Sequence, residues 1–361
     1  MPLYDVQGVS RQFGDSRRLI RAGRGTLALD GIDLTIHEGQ SLGLVGESGS
    51  GKTTLARLLV GFDHPTAGTV RFRGDDIAAM GRRARRGFTR DVQMVFQNPY
   101  AALNPFRTVR DSLVAGYRAG GTVSRRDEDA ALAELLDQMG LHPSMLDRYP
   151  HEFSGGQRQR IVLARALTVS PSVLVADEPV SALDVSIQAQ ILNLLNDLKD
   201  DPDLSLTVIM VTHDLGVANF FCDRIAVMYA GRVVEYGTTD QVVNASHHPY
   251  TRMLLSAAPN PNPRVHTPRP WVRSELAVVD PPREGCVFAP RCWLRTQLDD
   301  PEECTTVRPP MHDSGGQLSA CHFVDDVAPG AQATMTATGN ALAADRPTPV
   351  EPARPSLEKK S

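Results

Sequence analysis

No apolar run in this chain approaches the roughly 20 residues that span a bilayer. The stretch Met1 to Ile20 also lacks the apolar h-region of a secretory signal. The chain is therefore expected to be made and kept in the cytoplasm without crossing a membrane itself. Aromatic residues are scarce, at 6%, and there is no excess of positive charge. With 38 Lys and Arg against 42 Asp and Glu, the net charge is −4, which argues against binding nucleic acid through bulk charge. The basic run Arg82-Arg83-Ala84-Arg85-Arg86 is the exception and reads as a solvated helix face. Sustained heptads and repeated motifs are missing too. The 41% hydrophobic content is enough for one large domain plus an extension.

What is present begins with Gly46-Glu47-Ser48-Gly49-Ser50-Gly51-Lys52-Thr53, followed by Thr54. This matches the phosphate-loop pattern without a mismatch. Its context fits as well. Ser41 to Val45 reads as a buried strand, and Lys52 to Val60 reads as a helix that stops at Gly61. Glycines let backbone N–H groups face a β-phosphate, and the helix N-terminus adds positive dipole there. Lys52 is expected to reach the β- and γ-phosphates, and Thr53 to hold Mg²⁺.

Val173-Leu174-Val175-Ala176 reads as a second buried strand ending in Asp177-Glu178. Strand ends beside a phosphate loop are where an α/β sheet places its chemistry. Asp177 is the expected Mg²⁺ partner, and Glu178 the base that activates or orients water.

Between these motifs lies Phe153-Ser154-Gly155-Gly156-Gln157, in which Ser154 and Gly156 would cap a helix starting near Gln157. This run resembles the signature of ABC-type ATPases, with Phe153 where Leu is usual. The resemblance implies that Ser154, Gly155, Gly156 and Gln157 contact the γ-phosphate of ATP held by an opposing subunit. It further implies that Gln97 is a Mg²⁺-sensing Q-loop glutamine facing a membrane partner. Ser181 and Asp184 would lie in a D-loop at the dimer interface, and His213 would be the switch histidine. Phe13 is the candidate for stacking on adenine, with Tyr4 as its competitor. The Mg²⁺ set would be Thr53, Gln97 and Asp177.

The resemblance narrows at Val95 to Pro105, at Glu178 to Gln190 and at His248-Pro249-Tyr250-Thr251-Arg252. These segments are similar to oligopeptide and dipeptide importer ATPases, a group that includes nickel and glutathione importers. The implied fold is α/β: a P-loop ABC-type nucleotide-binding domain. It would have a RecA-like core, an antiparallel β-subdomain, a helical subdomain and a small cysteine-containing C-terminal extension. The expected domain spans residues 1–255, with its helical subdomain at about 100–170, where Leu132, Leu135, Leu136 and Met139 form one face. The extension would cover 256–324, opening on a proline-rich strap, and 325–361 would be a disordered tail. Arg17 to Gly25 reads as a surface loop, and Arg224–Tyr229 with Arg232–Tyr236 as a hairpin.

Cys222 stands apart and reads as a buried hydrophobe. Cys286, Cys292, Cys304 and Cys321 cluster in a reducing compartment, which suggests metal rather than disulfides. Their spacing matches neither the common zinc ribbons nor the usual ferredoxins. Some relatives in the peptide-importer family carry an iron–sulfur cluster here, so a structural [4Fe–4S] cluster is the first expectation. Zinc or free thiols are the alternatives, and His312 and His322 are less favoured ligands.

The resemblance implies the ATP-hydrolysing subunit of an importer for peptides or a related small solute. It would sit at the cytoplasmic face of the cell membrane with ATP and Mg²⁺. Its partners would be two multi-span permease subunits and a second ATPase, as heterodimer or homodimer, with an extracytoplasmic solute-binding protein acting indirectly. The rival reading is a soluble ABC ATPase that remodels a macromolecular complex.

Overall fold

Ser41–Val45 (β3), Val173–Asp177 (β7) and Thr207–Thr212 (β8) are buried at every residue. Strands covered on both faces read as unbroken apolar runs, the pattern of a parallel sheet between helical layers. In the computed structural model, which describes residues 2–14, 25–181, 183–202, 204–257 and 284–327, these three strands lie side by side. Val92–Val95 (β6) and Arg224–Tyr229 (β9) complete a parallel run in the order β9-β3-β8-β7-β6. Arg232–Thr238 (β10) pairs antiparallel with β9 across Ala230-Gly231, the hairpin expected from the sequence.

A second sheet joins Tyr4–Phe13 (β1), Thr26–Ile36 (β2), Ala67–Phe72 (β4) and Asp75–Asp76 (β5) in the antiparallel order β2-β1-β4-β5. Ile32, Leu34 and Ile36 alternate inward along β2 and meet Leu55 and Leu59 of the helix Lys52–Leu59 in one apolar cluster. The phosphate-loop helix is thus sandwiched between the two sheets.

From Pro99 to Leu167 the chain is helical. Leu132, Leu135, Leu136 and Met139 are buried together with Leu113 and Leu163, as the periodicity required. The helix Gly155–Leu167 starts two residues before Gln157, because Ser154 is its N-cap residue.

The cysteine-bearing segment differs from its expectation as a small appendage needing its own staple. His312–Asp313 (β11) and Leu318–Ser319 (β12) add to the main sheet, with Glu235 opposite Ser319 and Tyr236 opposite Leu318. Val287, Phe288, Leu294 and Val327 join the core that also holds the helical region. Val327 is 3% exposed, so packed chain continues past 324. The Arg17–Gly25 loop (apart from Gly25), the proline strap and the rest of the tail lie outside the described residues.

Candidate nucleotide site

The phosphate loop leaves the C-terminal end of β3 and enters the helix Lys52–Leu59 with Gly51 at φ 104°. A Cβ at Gly46 would stand 2.2 Å from the Met228 carbonyl oxygen, so only glycine fits where the loop passes β9. The Ser50 carbonyl accepts from Gly231 N–H at 2.9 Å, tying the loop to the β9–β10 turn. The Lys52 ammonium donates to the Gly46 carbonyl at 2.7 Å and the Glu47 carbonyl at 2.9 Å. Burial lowers its pKa, against the pull of Glu178, Asp177 and Glu47.

Asp177 ends β7 next to this loop. Thr53 Oγ1 donates to Asp177 Oδ1 at 3.2 Å, so two of the expected Mg²⁺ ligands are adjacent. Burial raises the Asp177 carboxyl, the Thr53 hydrogen bond opposes this, and the Glu178 charge adds to the rise. A buried carboxylate beside a hydroxyl offers the oxygen donors that a hard divalent cation takes, and these two residues would hold it.

Glu178 adopts φ 48°, an uncommon left-handed conformation for a residue with a Cβ. Its N–H donates to the Val211 carbonyl at 2.9 Å, which anchors the turn to β8. Gln97, after β6, donates from Nε2 to Glu178 Oε2 at 2.8 Å. His213, after β8, places Nδ1 3.4 Å from Glu178 Oε1. Two side chains, from the ends of β6 and β8, therefore converge on the carboxylate that follows β7.

The signature segment is elsewhere. Ser154 Oγ accepts from Gln157 N–H at 3.3 Å, and Gln157 Oε1 accepts from Ser154 N–H at 3.1 Å, a capping box. A Cβ at Gly156 would meet Ile187 Cγ2 at 2.5 Å, so the cap packs on the helix Val185–Asp200. Asp184 caps that helix, accepting from Ile187 N–H at 3.0 Å, and Ser181 Oγ donates to the Glu178 carbonyl at 3.1 Å. Among the described residues no hydrogen bond joins Ser154–Gln157 to the phosphate loop of the same chain. Phe13 is 41% exposed, with the Arg11 guanidinium 4.7 Å from its ring centre. Tyr4 is fully buried and donates to the Leu59 carbonyl at 3.1 Å, which removes it as an adenine platform.

The ABC transporter family model matches residues 29–181, and the model for the oligopeptide/dipeptide transporter C-terminal region matches residues 234–298. The chain is 40% identical over 324 residues to the dipeptide transport ATP-binding protein DppF of Escherichia coli, covering 90% of this chain and 95% of that protein. It is 41% identical over 320 residues to the di/tripeptide transport ATP-binding protein DppF of Pseudomonas aeruginosa, covering 89% and 97%. The chain belongs to the ABC transporter ATP-binding proteins of the oligopeptide/dipeptide type. Among solved structures it is similar to cbiO1 of Clostridium perfringens, part of the ABC transporter complex cbiONQ. That match has TM-score 0.57 and 27% identity, and covers 67% of this chain and 90% of that one. A dimeric ATP-binding cassette with ADP and phosphate bound matches with TM-score 0.57 and 27% identity, over 65% of this chain and 98% of that one. Membership makes this ABC protein a transport ATPase that binds ATP and Mg²⁺.

All four clustered cysteines line one cavity of about 20 Å³, together with His248, Phe288 and Leu294. That is room for about one water. No group of three or more His, Cys, Asp or Glu among the described residues is set to hold a metal ion. The donor chemistry thus suits a thiolate-bound metal, but the ligand set expected from the sequence is not assembled. In the metal-free chain, burial pushes Cys292 and Cys321 up to about 12 and Cys304 to about 11, and also raises Cys286, which favours protonated thiols. Cys222 is 6% exposed, the buried hydrophobe expected.

Sequence reasoning missed how the extension touches the phosphate loop. Arg291, next to Cys292, donates from Nη1 to Glu47 Oε2 at 2.7 Å and from Nη2 to Glu47 Oε1 at 3.0 Å. Tyr250 Oη accepts from Glu47 N–H at 2.9 Å. The His248-Pro249-Tyr250-Thr251-Arg252 motif marked Tyr250 as notable, but nothing local pairs Arg291 with a residue 244 positions away.

Proposed function

We propose that this chain is the ATP-hydrolysing subunit that powers import of di- or oligopeptides, working as one half of an ATPase pair at the cytoplasmic face of the membrane. The observation that carries the chemical part is the convergence of Gln97 and His213 on Glu178, beside Thr53, Asp177 and Lys52. In this reading Gly46–Thr54 cradle the β- and γ-phosphates while Lys52 gives charge to the γ-phosphate. Thr53, Gln97 and Asp177 would hold Mg²⁺, which would supply positive charge to the phosphates. Glu178 takes a proton from the attacking water or orients it, and His213 steadies the γ-phosphate. Phe13 stacks on adenine.

The signature cap points to a partner. An N-terminal helix cap of this kind binds anions, and here it is not hydrogen-bonded to its own phosphate loop. Ser154, Gly155, Gly156 and Gln157 therefore serve the site of the other subunit, with Ser181 and Asp184 at the interface. The peptide substrate class is supported by the DppF relatives named above. A heterodimer with a second ATPase is the favoured assembly.

Permease docking is supported by a groove of about 610 Å³ lined by Arg86, Arg90, Arg107 and Arg165 with no acidic lining residue. Exposed Phe62 and Phe96 stack beside the Q-loop at 6.0 Å, and Phe106 is 89% exposed. Two multi-span permeases would dock there, with a solute-binding protein acting across the membrane. Domain limits follow: catalytic domain to about 255, with its helical subdomain near 100–170, then the extension and a tail.

For Cys286, Cys292, Cys304 and Cys321, an iron–sulfur cluster, or zinc in its place, rests on their donor chemistry alone, and loading would have to widen the one-water cavity and gather the four sulfurs. A bound metal would have to displace the thiol protons, so loading is expected to release protons. Anaerobic purification with iron, sulfide and zinc analysis tests this; metal-free protein with an ordered extension would sink it.

The test of the function is Glu178→Gln in the assembled complex. Turnover and uptake of labelled dipeptide are expected to vanish while ATP binding persists. Normal steady-state hydrolysis would refute the role of Glu178.

A further inference from the structure

Glu47 is the second residue of the phosphate loop, and it is held at three points. Its carboxylate takes the two parallel Arg291 hydrogen bonds described above. Its N–H donates to Tyr250 Oη, and its carbonyl accepts from Lys52 Nζ at 2.9 Å. The Arg291 guanidinium sits 5.7 Å from the Tyr229 ring centre, and its Nη1 lies 3.4 Å from Tyr229 Oη. Tyr229 packs against Tyr250 at 4.7 Å and Phe288 at 5.3 Å. Phe288 lines the cysteine cavity, and Arg291 ends the turn Ala289–Arg291 that leads directly into Cys292. A continuous packed path thus runs from the cysteine cavity to the residue whose carbonyl shares the catalytic lysine.

We propose that Arg291 is a positioning residue for ATP binding, through which the cysteine-bearing extension becomes part of the nucleotide site. Two physical effects support this. First, the guanidinium neutralises a carboxylate that would otherwise stand in the loop facing a polyanionic ligand. A bidentate guanidinium–carboxylate pair also fixes orientation, which a single point charge does not. Second, when Lys52 turns toward a phosphate it gives up the Glu47 carbonyl. Arg291 and Tyr250 then hold the Glu47 peptide in place, so the loop need not be reordered on binding. By linkage, whatever orders the Cys292 turn favours ATP, and ATP in turn orders the Cys292 turn. Nothing in the phosphate-loop pattern itself calls for Arg291.

The pair is partly exposed, with side-chain exposure of 22% for Arg291 and 40% for Glu47, so a modest effect is expected. Arg291→Ala should weaken ATP binding about three- to tenfold, with kcat at saturating ATP within about twofold of wild type. Arg291→Lys should recover only part of the loss, because one ammonium cannot make two parallel bonds. In the Glu47→Ala background, Arg291→Ala should change the Kd less than about twofold, since the partner is already gone. Hydrogen exchange of residues 286–297 should slow on ATP binding in the wild type but not in Arg291→Ala.

The experiment measures ATP Kd across this double-mutant cycle in the full chain, with thermal midpoints confirming that each variant folds. An unchanged Kd in folded Arg291→Ala would overturn the proposal. So would losses that simply add in the double variant, or exchange in 286–297 that ignores ATP. The inference rests on reading Gly46–Thr53 as the ATP loop. Failure of wild-type chain to bind ATP would strike that reading instead, so the two failures are distinguishable.

Discussion

At the scale of single residues, the site depends on a few positions that tolerate no substitute, for different physical reasons. Gly46 has no space: any Cβ would overlap the Met228 carbonyl oxygen, which belongs to backbone and cannot rotate away. Lys52 is a matter of charge: its ammonium is buried at 5% exposure, with only loop carbonyls as hydrogen-bond acceptors and three carboxylates nearby. Substitutions at the two sites should therefore separate. Gly46→Ala is expected to cost roughly 1–3 kcal/mol of stability through overpacking, and to impair ATP binding because the loop shifts. Lys52→Ala should weaken ATP binding at least as severely with a smaller stability change, since the loop keeps its path. Urea unfolding together with nucleotide titration checks both, and equal stability losses would contradict the distinction. These positions were readable in sequence because the phosphate-loop motif is local, with ligands, turn and helix start within eight residues. The pairing of Gln97 and His213 with Glu178 was not local. Both were expected at the site only through the resemblance to ABC-type ATPases; what brings them to Glu178 is that strands of one parallel sheet end on the same side.

At the scale of elements, the caps and buried strands behaved as their residue types require. Ser154, Thr108 and Asp184 each accept from a backbone N–H of the first turn they precede, and Gly121 ends the helix Val109–Gly120 at φ 65°. What the sequence hid was the docking of the extension. Leu318–Ser319 is too short to read as a strand, and its partner β10 lies about eighty residues earlier. The residue that fixes this junction, Glu235, looks like an ordinary surface charge in the chain. It is fully buried, accepts from Gln317 Nε2 at 2.8 Å and from the His247 N–H, and burial pushes its carboxyl up to about 7. Its folded pKa thus lies above its unfolded value near 4.5. The folded state binds more protons between those values, so the contribution of Glu235 to stability is full below the lower one and is lost as pH rises through the upper. Replacing it with glutamine removes the titration. The stability of Glu235→Gln relative to wild type should rise between pH 5 and pH 8 by on the order of 3 kcal/mol. Urea unfolding at the two pH values measures it, and a difference that does not change with pH would show that Glu235 ionises normally.

At the scale of the whole molecule, the proposed pairing gives the chain one half of each of two sites. Its phosphate loop, Asp177 and Glu178 lie at the C-terminal ends of β3 and β7, and its anion-binding cap at Ser154 rests on Ile187 and is not hydrogen-bonded to that loop. In that proposal a single subunit binds ATP but completes no site, and closure onto a partner assembles it. The arginine-lined groove and the exposed aromatics beside Gln97 are the surface on which the proposed closure would act on a permease. Arg158 lies over the Tyr100 ring at 4.2 Å, a contact between the signature helix and the segment after Gln97. The measurement that tests the account most directly is a pull-down of the tagged chain from its native membranes, with and without ATP, read by mass spectrometry. The account predicts recovery of two multi-span proteins and a second ATPase in stable association. Recovery of soluble factors alone, under both conditions, would contradict it.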